Sequence, residues 1–542
     1  MRFFLIGLVV LVGCSSTADP DVHSNTAAAT GAGASGGGSP SSSGSAGSGG
    51  DTGGAGGDAG AGAVGPCMPS AKSGELVWAK RAGGSGWDVA NGVATSADGS
   101  ITVTGNFDGA AAFSPDDPDK TILYPVAVDM YAARYDASGA IVWAKRAGGP
   151  PIDAYDVTSG NGAASMADGS TVIAGEFEAL ATFGEGEPAE VTLQPQGTMD
   201  AFVAHYGVDG SVGWVRPIGG AGVDQAFAIA SSPDGSAIAL SGRFQGTATF
   251  GTGPGATTVT SNGGNDAFVT VYGEDGSFSW TRGIGGTADD DVGGLAVAYD
   301  GSVFVTGTFF GTITLGATEP NETTLVGSPI NGSMFLARFG PSGDLVWAKT
   351  VTGDSSVRGV RLGLAGRGIV VLGFLDATAT FGAGEPSATT LTSAGSDDVF
   401  VARFHDDGTF DWARRAGGDG VDYPRGLAFG QDGAIYVSGT FEAETQATFG
   451  EAEGCEASLV RTGDIDLFLA RYVEDGSFVW VRHAGGTTLA DHLHGGSLAI
   501  AADGSVVVAG AFVGSATFGL GESNETTLDS ASADIFLAKY LP

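Results

Sequence analysis

The chain has 542 residues and a formal charge of -37, from 61 acidic and 24 basic side chains. A surface of that sign repels phosphate backbones and argues against nucleic acid as a partner, while it remains compatible with solubility or with attraction for cations. Its 95 glycines fall in two settings: a tract before residue 66, and short turns that return at regular intervals through the rest.

Residues 1–13 read as an address. Met1-Arg2 supplies a positive start, Phe3 to Val12 an apolar run too short for a permanent span, and Leu11-Val12-Gly13-Cys14 a small-residue cleavage site ending in cysteine. This resembles a bacterial lipoprotein signal peptide. The resemblance implies that Cys14 becomes the lipidated first residue, that the chain is exported, and, with Ser15 next, that it is held in the cell envelope at the outer membrane or cell surface. An ordinary secretory signal cleaved elsewhere is the plainer alternative. Residues 14–72 are almost entirely Gly, Ala, Ser and Thr, which cannot bury enough apolar surface to offset the entropy of ordering. They are expected to form a disordered tether with an r.m.s. span of ~40 Å.

The body, residues 73–542, starts on ELVWAKRAGG (Glu75 to Gly84), and copies of that stretch recur to the C-terminus. Trp78, Trp143, Trp214, Trp280, Trp347, Trp412 and Trp480 are 65, 71, 66, 67, 65 and 68 residues apart. Such a period, built of short apolar runs and turn signals, predicts one repeat architecture rather than several domains. Within the first full unit the runs are Gly92 to Ala97, Ile101 to Phe107, Asp129 to Tyr135 and Ala140 to Ala147. Asp98-Gly99 and the Asp136 to Gly139 turn join them, which predicts four antiparallel strands. Apolar second strands such as Val506-Val507-Val508 require cover on both faces.

The chain enters the repeats directly on a tryptophan strand and stops at Asp534 to Tyr540, where other units continue into that strand. The expected fold is therefore all-β: a seven-bladed β-propeller of four-stranded antiparallel blades, with Glu75 to Ala82 completing the C-terminal blade. An open solenoid would leave two raw edges.

The pattern G-(L/V)-A-x-x-x-D-G-S-(V/I)-x-V-x-G-x-F, then A-T-F-G, then D-(A/I)-F-(V/L)-A-(R/K)-(Y/F) leading to the tryptophan, covers residues 73–542. It resembles the seven-bladed propeller repeats abbreviated SBBP, found in bacterial surface proteins and lipoproteins. The resemblance implies fold and surface location and carries no catalytic residue. The tryptophan-bearing strand pair is also similar to that of quinoprotein-type propellers, whose tryptophans are structural docking residues.

Asp88, Asp224, Asp290 and Asp422 each precede an inner strand. They form either a carboxylate rim for a hard cation such as Ca²⁺ or turn residues bonding their own backbone. A second recurring acid, at Asp129, Asp200, Asp266, Asp398, Asp466 and Asp534, reads as a turn residue. His492 and His494 would share one side of a strand, as two ligands of a divalent metal do, although no third ligand is evident. Trp87, Tyr155, Phe227 and Tyr423 suit either a stacking platform or packing at the blade edges. The insertions sharing a Thr-Phe-Gly core differ in length and sequence and are expected to carry recognition.

Unit five departs from the pattern by gaining Arg358, Arg361 and Arg367, a basic notch that fits an anion and is equally explained by drift in one repeat. Cys67 and Cys455 remain after lipidation of Cys14. Export permits a bridge between them, while their expected positions toward opposite faces oppose it.

No Ser, Cys or Lys stands in a nucleophile's setting. The expectation is a monomeric, membrane-tethered propeller that binds or displays an unknown protein or glycan, without catalysis or an obligate cofactor. The alternative is a hydrolytic or cofactor-dependent enzyme centred on the propeller channel.

Overall fold

A computed structural model describes residues 73–152, 156–366, 368–442, 446–451, 454–486 and 492–542. Met1–Gly65 and Pro66–Pro542 are separate units, and every described residue belongs to the second. The described chain is all-β and propeller-like; apart from one 3-10 turn at Gly253–Gly255, its regular elements are strands.

The first unit sets the pattern: Asp88–Thr95, Ile101–Phe107, Asp129–Tyr135 and Ile141–Ala147 pair in that order, each antiparallel to the next. The first strand begins four residues earlier than the sequence pattern predicts, because a bulge at Asn91 lets it continue in register past the irregularity. The Asp-Gly signal works through Gly99, whose φ of 85° suits glycine, while Asp98 Oδ1 accepts the Ser100 N–H at 2.9 Å. Every residue of the second and third strands is buried, as expected of strands covered on both faces.

The same order returns in units that start at Thr158–Ser165, Gln225–Ser231, Asp291–Val297, Val357–Ala365, Asp422–Phe429 and His492–Ile500. The last of these continues through Val506–Phe518 and Thr526–Tyr540, and then pairs with the N-terminal strand Leu76–Gly84. Leu76 faces Tyr540 and Ala82 faces Ile535.

The core lies between units. One apolar cluster joins the first and second through Met130, Ala132, Ile173 and Phe202, and corresponding clusters fill each later junction. Another joins the seventh unit to the first, with Val507, Ala509, Ile535 and Leu537 against Ile101, Val103, Tyr131 and Ala133. First strands also touch across this junction, where Ser497 Oγ donates to the Asn91 carbonyl at 2.6 Å and Thr95 Oγ1 to that of Ile500 at 2.6 Å.

The tryptophans bind one unit to the next. Trp143, Trp214, Trp280, Trp347 and Trp412 each donate an indole N–H to a carbonyl in the following unit's turn, at 2.9–3.2 Å. Their rings cover the turn glycine: a Cβ on Gly210 would sit 2.8 Å from Trp143 Cδ2. Trp78 covers Gly139 and Trp480 covers Gly74 in the same way.

Candidate functional site

Because the strands of a unit are antiparallel, the insertions and the unit-to-unit loops open at one end, and the Asp-Gly turns at the other. The insertions do more than vary. In the second unit Ala181–Phe183 pairs with Val191–Leu193, and Thr182 bridges Gly148 at the end of the preceding tryptophan strand. Gly84 with Ala111, Gly219 with Thr249 and Gly485 with Thr517 repeat that contact. Phe113, Phe183, Phe250, Phe381, Phe449 and Phe518 are buried in these hairpins. The Thr-Phe-Gly core is thus a clasp between units. Its glutamates tie the hairpin to its own unit's fourth strand: Glu187 Oε2 accepts the Val212 N–H at 2.9 Å, and Glu522 Oε2 accepts the Leu76 N–H at 2.6 Å.

What varies at this end is the apolar trim. Trp87, Tyr124, Val126, Ile152, Val326, Ile330 and Val460 are all exposed there, with Tyr124 at 68% and Ile330 at 81%. Phe227 and Tyr423 are instead half-buried under arginines, Arg243 at 5.5 Å and Arg425 at 5.6 Å from the ring centroids. Tyr155 lies outside the described residues.

Asp88, Asp224, Asp290 and Asp422 do not form a solvent-facing rim. All four are fully buried, and each accepts the N–H of the residue four before it, Gly84, Gly220, Gly286 or Gly418, at 2.6–2.8 Å. Each also faces a recurring acid of the preceding unit: Asp534, Asp200, Asp266 and Asp398 respectively. Burial, only partly offset by the N–H bonds, lifts Asp88, Asp224 and Asp422 to about 7 and Asp290 to about 6. Three of the recurring acids have arginine partners: Asp129 with Arg146 at 2.6 Å, Asp534 with Arg81 at 2.9 Å, and Asp398 with Arg415. Among the described residues no three His, Cys, Asp or Glu side chains converge as a metal site requires. The side chains of His492 and His494, Arg367, and the cysteines Cys14 and Cys67 lie outside the described residues. Cys455 is disulfide-bonded.

The sequence reading missed His483. Its Nε2 lies 2.7 Å from Asp466 Oδ2, in the place that Arg146 and Arg415 occupy at other junctions. Burial acts upward on the Asp466 carboxyl, but the His483 hydrogen bond and the N–H groups of Thr462 and Gly463 hold it below the usual range. His483, but not the buried Asp466, lines an open cavity of about 390 Å³ together with Glu75, Leu459, Arg482, Leu520 and Glu522. The signal was present in the sequence as a His three residues beyond Trp480, where Arg81, Arg146 and Arg415 stand in three of the other units.

No family model matches the chain. One curated relative, the regulatory protein FlaEY of Caulobacter vibrioides, is 26% identical over 158 residues, which is 29% of this chain and 16% of that protein. Among solved structures, Sqt1 of Saccharomyces cerevisiae aligns at 7% identity and a TM-score of 0.34, over 86% of this chain and 99% of its own. A protein of unknown function from Dyadobacter fermentans aligns at 11% and 0.35, over 88% and 100%. The neuraminidase-like protein of subtype N10 from A/little yellow-shouldered bat/Guatemala/060/2010 aligns at 11% and 0.31, over 70% and 92%.

Proposed function

We propose that residues 73–542 close into a seven-bladed β-propeller completed by Leu76–Gly84, and that this body is a non-catalytic binding or display module. It would be exported and held at the outer membrane or cell surface by lipid on Cys14, with residues 14–72 as the tether and Cys67 bridged to Cys455. The apolar cluster between the seventh and first units supports closure. The likeness of the repeat pattern to SBBP proteins supports the surface location.

The observation that carries the binding reading is the exposed set Trp87, Tyr124, Ile152 and Ile330 at one end of the body, against a repeated and buried framework. A protein or glycan ligand would contact these side chains, which differ from unit to unit more than the clasps beneath them do. Glycan and peptide arrays probed with the chain test this. A ligand bound by the parent and lost in the combined Trp87→Ala and Tyr124→Ala variant is expected. Binding indifferent to both changes would overturn it.

The enzymatic alternative has one observation in its favour, His483, which is paired with Asp466 and lines the 390 Å³ cavity. A hydrolytic activity abolished by His483→Ala would establish it in place of the binding module.

A further inference from the structure

Arg361 and Arg425 stand on the neighbouring first strands Val357–Ala365 and Asp422–Phe429, which pack so closely that a Cβ on Gly363 would come within 2.2 Å of Phe429 Cε2. Their positions in the repeat are defined by the bulge that every first strand carries. Arg361 is the residue after the bulge, paired with Leu372; its counterparts are Gly92, Gly162, Ala228, Gly294, Gly426 and Ser497. Six small residues and one arginine occupy this ring of positions. The small residues let adjacent first strands approach, as where a Cβ on Gly294 would meet Arg361 Cα at 2.7 Å.

Arg425 is itself the bulged residue of the sixth unit. At the equivalent places in the first two units, Asn91 and Asn161 reach the next strand and donate to the carbonyls of Gly160 and Ala226 at 3.2 and 3.0 Å. Arg425 makes no such bond. Its Nε is buried without a hydrogen-bond partner, and its guanidinium lies 5.6 Å from the Tyr423 ring. Among the described residues the one side-chain hydrogen bond of Arg361 goes from Nη1 to the carbonyl of its own neighbour Val360 at 3.0 Å. Among the described residues neither guanidinium has a carboxylate within ion-pair distance, although the chain carries 61 acids. Burial, and then the charge of Arg425, brings the Arg361 guanidinium down to about 10. Arg358, one turn of the pleat away, has an unpartnered buried Nε as well, with the more distant Asp397 and Asp291 acting on it.

Two neighbouring cations, half-buried and without a carboxylate in ion-pair contact, repel each other, with Glu442 acting on Arg425 only from farther away. A guanidinium presents a planar fork of donors that matches an oxyanion in two-point contact. We propose that Arg361 and Arg425 together bind a small oxyanion, the phosphate or carboxylate group of a ligand, between the fifth and sixth first strands. The proposal uses only the contact of those two strands and stands apart from the binding end proposed above.

The test is calorimetric titration and thermal melting of the full chain with inorganic phosphate, sulfate and acetate, each against sodium chloride at the same ionic strength. At least one of the three should bind and raise the melting temperature beyond the chloride control. Phosphate without acetate points to a phosphate-bearing ligand, and acetate to a carboxylate. Arg361→Gln and Arg425→Gln should each weaken binding at least tenfold. In buffer without oxyanion these variants should melt no lower than the parent, because each removes a repelling charge, which separates the site from a fold defect. Equal melting in all salts, or unchanged affinity in both variants, overturns the proposal. Array binding at the loop end is unaffected by either result.

Discussion

The indole of Trp480 rests on Gly74, where a Cβ would come within 3.0 Å of Cε2, and its Nε1 donates to Ser73 Oγ at 2.9 Å. Arg482 adds a bond from Nε to the Gly74 carbonyl at 3.0 Å. The segment entering the first strand therefore occupies the place that a turn between third and fourth strands holds in every other unit.

Removing residues through 72 should leave a soluble body, whereas removing them through 84 takes away both the partner of Thr526–Tyr540 and the seat of Trp480. The exposed backbone of that strand then invites pairing with other chains. Melting and light scattering of the two truncations should show a stable monomer and an aggregating or strongly destabilised product; identical behaviour would sink the latch.

Trp347 is half-buried, donates to the Asp406 carbonyl at 3.0 Å and meets Phe304 at 6.3 Å. Trp347→Ala should cost about 3 kcal/mol in chemical denaturation, as loss of a large packed aromatic does. A loss near zero would mean that the indole is no strut between units.

Ser114 takes the place of the glycine in the clasp sequence, with φ at 55° and a buried hydroxyl that has no hydrogen-bond partner. Ser114→Gly relieves the left-handed backbone and removes the orphan hydroxyl, so it should stabilise by about 1 kcal/mol. A lower melting temperature in differential scanning calorimetry contradicts this.

Stability should fall as pH rises from about 4 to about 7. In that window buried Asp88, Asp224 and Asp422, lifted to about 7, hold protons that the unfolded chain has shed, so folding takes up protons and alkali opposes it. Below it the sign reverses. Ser hydroxyl bonds hold Asp98, Asp168 and Asp234 below the usual range, and their contribution, present above the unfolded value, is lost as acid protonates them. Melting temperatures should peak near pH 4 to 5 and decline toward pH 8, and Asp224→Asn should flatten the decline. An optimum at pH 8 would refute the argument.

Strand identity was legible because turn chemistry and a two-faced apolar pattern recur together: Ile101–Phe107 and Asp129–Tyr135 stand where the sequence places them. The pairing of Leu76–Gly84 with Thr526–Tyr540 could be read by counting missing strands at each end. Asp88 and Asp224 were harder. Whether a carboxylate before a strand faces water or folds back onto a backbone N–H depends on the loop above it, and the clasp that closes that loop comes from another unit. Phe183 illustrates the same limit, since a lone aromatic in a variable insertion looks alike whether it stays in its own loop or locks a neighbouring sheet. His483 was overlooked because its meaning lies in a contrast with Arg146 and Arg415 at equivalent positions.

The Ser73 hydroxyl donates to the carbonyl of Pro542, 469 residues away, at 2.8 Å, and Leu76–Gly84 finds its long partner strand in Thr526–Tyr540, its last residues alone meeting the nearby Ala111–Phe113. The strand of the described body that a ribosome makes first is thus the one that must wait longest. Until the final third strand emerges, only its end, Ala82 to Gly84, has a pairing partner, in Ala111–Phe113, and the long loop closure the rest needs makes this the slowest contact to form. Synthesis halted anywhere short of the end yields completed units beside one strand that lacks its long partner, a species exposed to pairing with its own kind.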